Sequence, residues 1–198
     1  TNGQTNVSFG TPSISNSAGT LLFYFDGVNI RNSAHLVMAN GSGIIGSGDH
    51  NIIVKRPGSQ SIYEVFMLGG GLGFLYYSEV DMSLAAGMGS VTVKNIAITS
   101  GLTSQLSAVK ACNGIDVWVA VHGNYSNNFY AFLVTATGIN GVPVISAIGP
   151  TVSSGHVGAM KFSPNGTKLG FTAAGVTVAT FDFNASSGVF SNPLLLQT

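Results

Sequence analysis

What most constrains this chain is a two-residue turn signal that recurs between short runs of β-branched and aromatic residues. Asn-Gly occurs at 2–3, 40–41, 113–114, 140–141 and 165–166, and Asp26-Gly27 is a sixth pair of the same kind. Such pairs tolerate positive φ at both central positions of a tight turn, which matches the twist of antiparallel strands. Helical periodicity is nearly absent, and strand-length apolar runs recur instead. The chain is therefore expected to be all-β.

The hairpins fall into register. In the last quarter, strands are predicted at 157–163, 168–173, 176–183 and 189–196, with a turn at Pro164-Asn165-Gly166. One period earlier come 106–111, 115–122, 129–136 and 142–148, and before them 51–55, 62–68, 74–82 and 91–98. The first unit is shorter, with strands at 7–15, 21–25, 28–32 and 35–38. A four-stranded meander repeating every 40–55 residues or so is the pattern of β-propeller blades. About four blades of four antiparallel strands are expected, at 5–42, 50–99, 105–149 and 156–198, within a single partial propeller domain spanning 1–198. A sandwich would also give short antiparallel strands but predicts no recurring four-strand unit. A β-helix would give shorter, more uniform repeats.

Composition narrows the partners. Only 7% of residues are charged, seven basic against seven acidic, while 45% are hydrophobic. Nucleic acid is not expected, because phosphate binding needs a clustered basic surface and only Lys55-Arg56 are adjacent. Membrane insertion is not expected either, since no apolar run approaches the roughly 18–20 residues of a spanning helix. The opening Thr1-Asn2-Gly3 has no initiator Met, which reads as a removed signal or an internal fragment. Cys112 is the only cysteine, so stability is expected from packing rather than disulfides.

A set of segments carries a resemblance. It begins with Ile14-Ser15, Gly19, Leu21-Leu22-Phe23-Tyr24, Asp26-Gly27, Asn32, His35, Met38 and Asn40-Gly41, and resumes at Tyr77-Ser78-Glu79-Val80-Asp81-Met82. It continues through Ala108-Val109-Lys110, Asn113-Gly114, Trp118-Val119, His122, Asn127 and Leu133-Val134-Thr135. It ends at Ser163-Pro164, Gly166 and Lys168-Leu169, close to the Ser-Pro-Asp-Gly-x-Lys-Leu turn of many WD-repeat-like propellers, with Asn165 in the Asp position. In these segments the chain resembles the N-terminal propeller region of Bacteroidetes-type secreted and surface proteins that carry a C-terminal type IX secretion (type B) sorting domain. The resemblance implies a secreted or cell-surface location outside the outer membrane, a role in adhesion or gliding, and a larger, seven-bladed ring. Further blades or a partner chain would then complete it.

Candidate chemistry is sparse. The acids are Asp26, Asp49, Glu64, Glu79, Asp81, Asp116 and Asp182, with no pair recognisable as the convergent carboxylates of a glycosidase. Glu79 and Asp81 share a strand face, where support of a loop outweighs cation binding. His35, His50, His122 and His156 lack metal-ligand spacing. The glycines at 69–71 and 73 are followed by no helix or Lys-Ser/Thr, so they do not make a phosphate cradle. Trp118 reads first as a blade-to-blade core residue. No catalytic residue, cofactor or metal is assigned. The expected function is a non-catalytic interaction scaffold that binds protein or glycan through rim loops, with His122, Asn124, Tyr125, Asn127, Asn128 and His156 as the candidate contacts. The alternatives are a propeller hydrolase whose catalytic residues lie in other blades, and a structural spacer in a large adhesin.

Overall fold

The computed structural model describes residues 11–46, 50–69, 73–152, 158–173 and 177–197. These form four antiparallel sheets, with no α-helix among the described residues. The first sheet contains β1 (Ser13–Ser15), β2 (Leu21–Phe25) and β3 (Ile30–Asn32), and the second β4 (Asn51–Lys55), β5 (Ile62–Gly69), β6 (Phe74–Asp81) and β7 (Ser90–Thr99). The third holds β8 (Leu102–Lys110), β9 (Val117–Gly123), β10 (Ser126–Thr135), β11 (Gly138–Ile139) and β12 (Val144–Val152). The fourth holds β13 (Met160–Phe162), β14 (Lys168–Ala173), β15 (Thr177–Asn184) and β16 (Val189–Gln197). In the second and fourth sheets each strand pairs with its sequence neighbours, so both are simple meanders.

The first hairpin of every sheet closes in a similar way. The amides of Gly19, Gly114 and Gly166 donate to the carbonyls of Asn16, Ala111 and Ser163, and in the second sheet Ser59 donates to Arg56. A glycine with positive φ stands in each turn: Gly19 at 80°, Gly58 at 72°, Gly114 at 69° and Gly166 at 71°. Asn113 and Asn165 themselves are not left-handed, contrary to the two-residue turn expected of Asn-Gly. Their side chains instead cap the turn, Asn113 Oδ1 accepting from the amides of Ile115 and Asp116 at 3.0 and 2.9 Å. Only the glycine then needs the left-handed region, and the loop is longer by a residue or more.

The expected strand count per unit changes in two sheets. Of the predicted fourth strand at 35–38 a single antiparallel bridge forms, Val37 opposite Arg31, and the residues before it are a turn: Asn32 Oδ1 accepts from the amides of Ala34 and Leu36, and His35 has φ 64°. In the third sheet the outer position beside β10 is shared. β11 pairs with Val134 and Thr135, while β12 pairs along Ser126 to Ala131, so five strands result.

The chain divides into two compact units, Thr1–Ser100 and Gly101–Thr198, and each contains a face-to-face pair of sheets. In the first unit Phe23, Phe25 and Ile30 of the first sheet share a core cluster with Tyr63, Val65, Met67, Val80 and Val91 of the second. The segment after β3 docks on β7, where Asn40 Nδ2 donates to the Val91 carbonyl at 2.9 Å and Asn95 Nδ2 to that of Gly43 at 2.9 Å.

In the second unit Trp118, Ala120, Phe129 and Ala131 face Phe162, Phe171, Phe181, Phe183 and Phe190. Phe129 is the hub, its ring 4.7 Å from Phe181, 4.8 Å from Phe190 and 5.6 Å from Phe171. Trp118 takes the place expected of an inter-sheet core residue. Its indole N–H donates to the Ala185 carbonyl at 2.9 Å and its ring packs edge-on to Phe183. Truncating Phe129 to Ala removes this hub and leaves a cavity between sheets, so chemical denaturation should show a loss of about 3–5 kcal/mol. Phe129→Leu should retain most of it.

Candidate functional site

Alternation along β9 decides the role of His122. Trp118, Ala120 and His122 lie on the face turned to the fourth sheet, and the strand continues to Gly123. His122 is therefore not in a rim loop. It is 1% exposed, with its ring 4.6 Å from Phe129 and 4.9 Å from Phe171. Burial pushes its pKa down from 6.5 to about 4, and its Nδ1 makes no hydrogen bond within the described residues. At neutral pH the ring is an uncharged aromatic member of the core.

The other candidate contacts separate into two groups. Asn124 and Tyr125 form the turn between β9 and β10: the Asn124 amide donates to the Gly101 carbonyl at 2.8 Å, and Tyr125 has φ 52° and is 71% exposed. Asn127 and Asn128 belong to β10, half-buried, and their amides turn back on the protein. Asn127 Nδ2 donates to the Gly149 carbonyl at 3.5 Å and Asn128 Nδ2 to the Tyr130 hydroxyl at 3.4 Å. His156 lies outside the described residues.

The structure adds a charged cluster that the sequence reading did not assemble. Glu64 and Glu79 are cross-strand partners in β5 and β6, and the Arg56 guanidinium bridges both carboxylates. Thr92 Oγ1 donates to Glu79 as well. Glu64 is fully buried; burial raises its pKa, and Arg56 only partly opposes this. The signal was a lone carboxylate inside the apolar run Ile62-Tyr63-Glu64-Val65-Phe66, since a buried charge requires a partner. Glu79 and Asp81 share no ligand: Asp81 instead accepts from the amide and hydroxyl of Ser83 at 2.8 and 2.7 Å.

Asp26, also fully buried, is a turn anchor. Burial opposes its ionisation, but Arg31 and the amides of Asn29 and Val28 outweigh it and hold the carboxyl below its usual range. His35 Nδ1 meets the Tyr24 hydroxyl at 3.3 Å. Among the described residues no group of three or more His, Cys, Asp or Glu could hold a metal ion, and no helix is long and apolar enough to cross a membrane.

No protein-family model matches the chain, and no curated protein matches it. Among solved structures it is similar to a functionally unknown protein from Desulfotomaculum acetoxidans DSM 771, with 16% identity and a TM-score of 0.53 over 91% of this chain and 54% of that one. Kuenenia stuttgartiensis hydrazine synthase is 13% identical with a TM-score of 0.44, over 86% and 49% of the two chains. The chain thus spans about half the length of these structures. The first likeness is one of fold alone, and the second supports no further argument.

Two outcomes follow from this chemistry. Because the folded pKa of His122 lies below its unfolded value, the stability it contributes is complete above pH 6.5 and falls as pH drops towards 4. The total loss approaches 3 kcal/mol, at about 1.4 kcal/mol per pH unit. His122→Phe should flatten this part of the pH profile relative to the native chain in urea titrations. Arg56→Met leaves Glu64 buried without its cation, and should cost about 3–5 kcal/mol at pH 7. Arg56→Met with Glu64→Gln should recover a large part of that loss.

Proposed function

We propose that the four sheets are blades of a β-propeller belonging to a larger ring, and that the chain is a non-catalytic binding scaffold in a secreted or cell-surface protein. The observation that carries the architectural part is the meander order of the first, second and fourth sheets, combined with the glycine-containing first hairpin in all four. A Greek-key sandwich would instead require strands to cross between sheets. Sheets in a propeller bury their faces against neighbours, as the aromatic faces do within each unit here.

The binding part rests on the β9–β10 turn. Tyr125 places a large aromatic side chain in solvent at a backbone conformation that costs a non-glycine residue energy. An exposed aromatic beside the Asn124 amide suits a protein or glycan surface, where stacking and hydrogen bonding act together. The low charge of the chain, with neutral polar residues in its place, agrees with an extracellular setting.

The test is Tyr125→Gly, which relieves the left-handed strain while deleting the ring. Thermal melting should show the same or slightly greater stability. Binding to the ligand identified on a glycan array or in a cell-surface protein screen should fall about tenfold or more, the order expected of an aromatic anchor. Undiminished binding would remove this turn from the contact surface.

A further inference from the structure

In the first unit, the turn ends of the first and second sheets line a half-open cavity of about 440 Å³. That lies at the lower end of the range of small-molecule sites, roughly 300–1,000 Å³, and is enough for a mono- or disaccharide. Three kinds of surface meet there. Tyr63 and Met82 supply an apolar wall, and the Tyr63 ring is fixed edge-on to Phe23 at 5.5 Å. Ser15, Ser17 and Gln60 supply hydroxyl and amide groups whose side chains make no hydrogen bond within the described residues. Among the described residues of the lining, Lys55 supplies the charge.

Lys55 is placed there by register. It pairs with Tyr63, so both side chains lie on the sheet face turned towards the first sheet, and its Nζ stands 6.0 Å from the Tyr63 ring centroid. That is the outer limit of a cation–π contact and contributes little. Among the described residues no carboxylate ion-pairs with Lys55, Lys94, Lys110 or Lys161, whereas Arg31, Arg56 and Lys168 are each paired, and of the unpaired lysines Lys55 lines the cavity. Asp81 pairs with Ile62, on the sheet face opposite to Lys55 and Tyr63, does not line the cavity and is held by Ser83.

We propose that this cavity binds a sugar bearing a carboxylate, a uronic acid or a short uronate oligomer. Its carboxylate pairs with Lys55, its hydroxyls bond to Gln60, Ser15 and Ser17, and its apolar ring face lies against the half-buried Leu22 and Met82 beside the edge of Tyr63. The lining discriminates against other anions. A phosphate dianion would leave charge uncompensated against one ammonium, with no helix N-terminus or Gly-rich nest to assist. An apolar carboxylic acid would strip water from the serine and glutamine side chains and return no hydrogen bond. The site is distinct from the β9–β10 turn and does not depend on the role assigned to Tyr125.

Titration calorimetry of the whole chain with di-galacturonate, its methyl ester and a neutral digalactoside tests the assignment. The acid should bind about tenfold or more tightly than either neutral ligand, as expected for one charge-assisted contact, and should weaken with added salt. Lys55→Met should reduce acid binding to the neutral level while the melting temperature stays unchanged, because Lys55 is exposed. Tyr125→Gly should leave this binding intact. Equal binding of acid and ester, binding unaffected by Lys55→Met, or no binding of any of the three would overturn the proposal. Loss with Tyr125→Gly and not with Lys55→Met would also overturn it, while leaving the turn as the contact surface.

Discussion

The burial of one sheet face against another is the interaction on which the remaining structure depends. A strand as short as β13, three residues, or a sheet of only β1 to β3 has too little hydrogen bonding to offset the entropy of ordering it. The missing stability comes from the aromatic face opposite. In the second unit the Phe129 ring touches residues of the fourth sheet, and Trp118 adds a hydrogen bond to Ala185 across the same seam. Gly188 is required there, since it has φ 74° and a Cβ would meet the Trp118 ring at 2.7 Å. A fixed distance between sheets therefore specifies residues at both ends of the seam.

The ionisable groups buried in these sheets are each compensated. Asp26 is enclosed by a turn that gives it several donors, and Glu64 by a guanidinium shared with Glu79. His122 is compensated differently, by remaining neutral between two phenyl rings. Lys55 is exposed, so water carries the cost of its charge, and it lines the cavity at the sheet ends. Structural charges are thus paired inside the sheets, while the charge open to a ligand lies at their ends.

Much of the strand pattern was legible because its determinants are local. Runs such as 51–55 and 168–173 coincide with β4 and β14, since each is a strand-length run bounded by turn residues, continuous and apolar at its centre in β4 and alternating in β14. The 35–38 segment is reduced to one bridge at Val37 because Asn32, a side chain outside it, captures the Leu36 amide and turns the chain before it. β11 was missed because a two-residue strand has no periodicity to read. The candidate site was less legible. Tyr125 and Asn124 lie in a turn as expected, but one more strand residue carried His122 into the core. The cavity beside Lys55 is assembled from five separate segments, and only the pairing of β4 with β5 and the packing of two sheets bring them together.

The central claim, that sheets are stable only as opposed pairs, is tested most directly by native-state hydrogen exchange in the second unit. The account predicts that the slowest amides of β9, β10, β14 and β15 exchange with one common free energy and the same denaturant dependence, because opening the Phe129 seam exposes both sheets together. If β14 and β15 opened through a separate, lower-energy event while β9 and β10 stayed protected, face-to-face burial would not be what holds the sheets, and the account would be wrong.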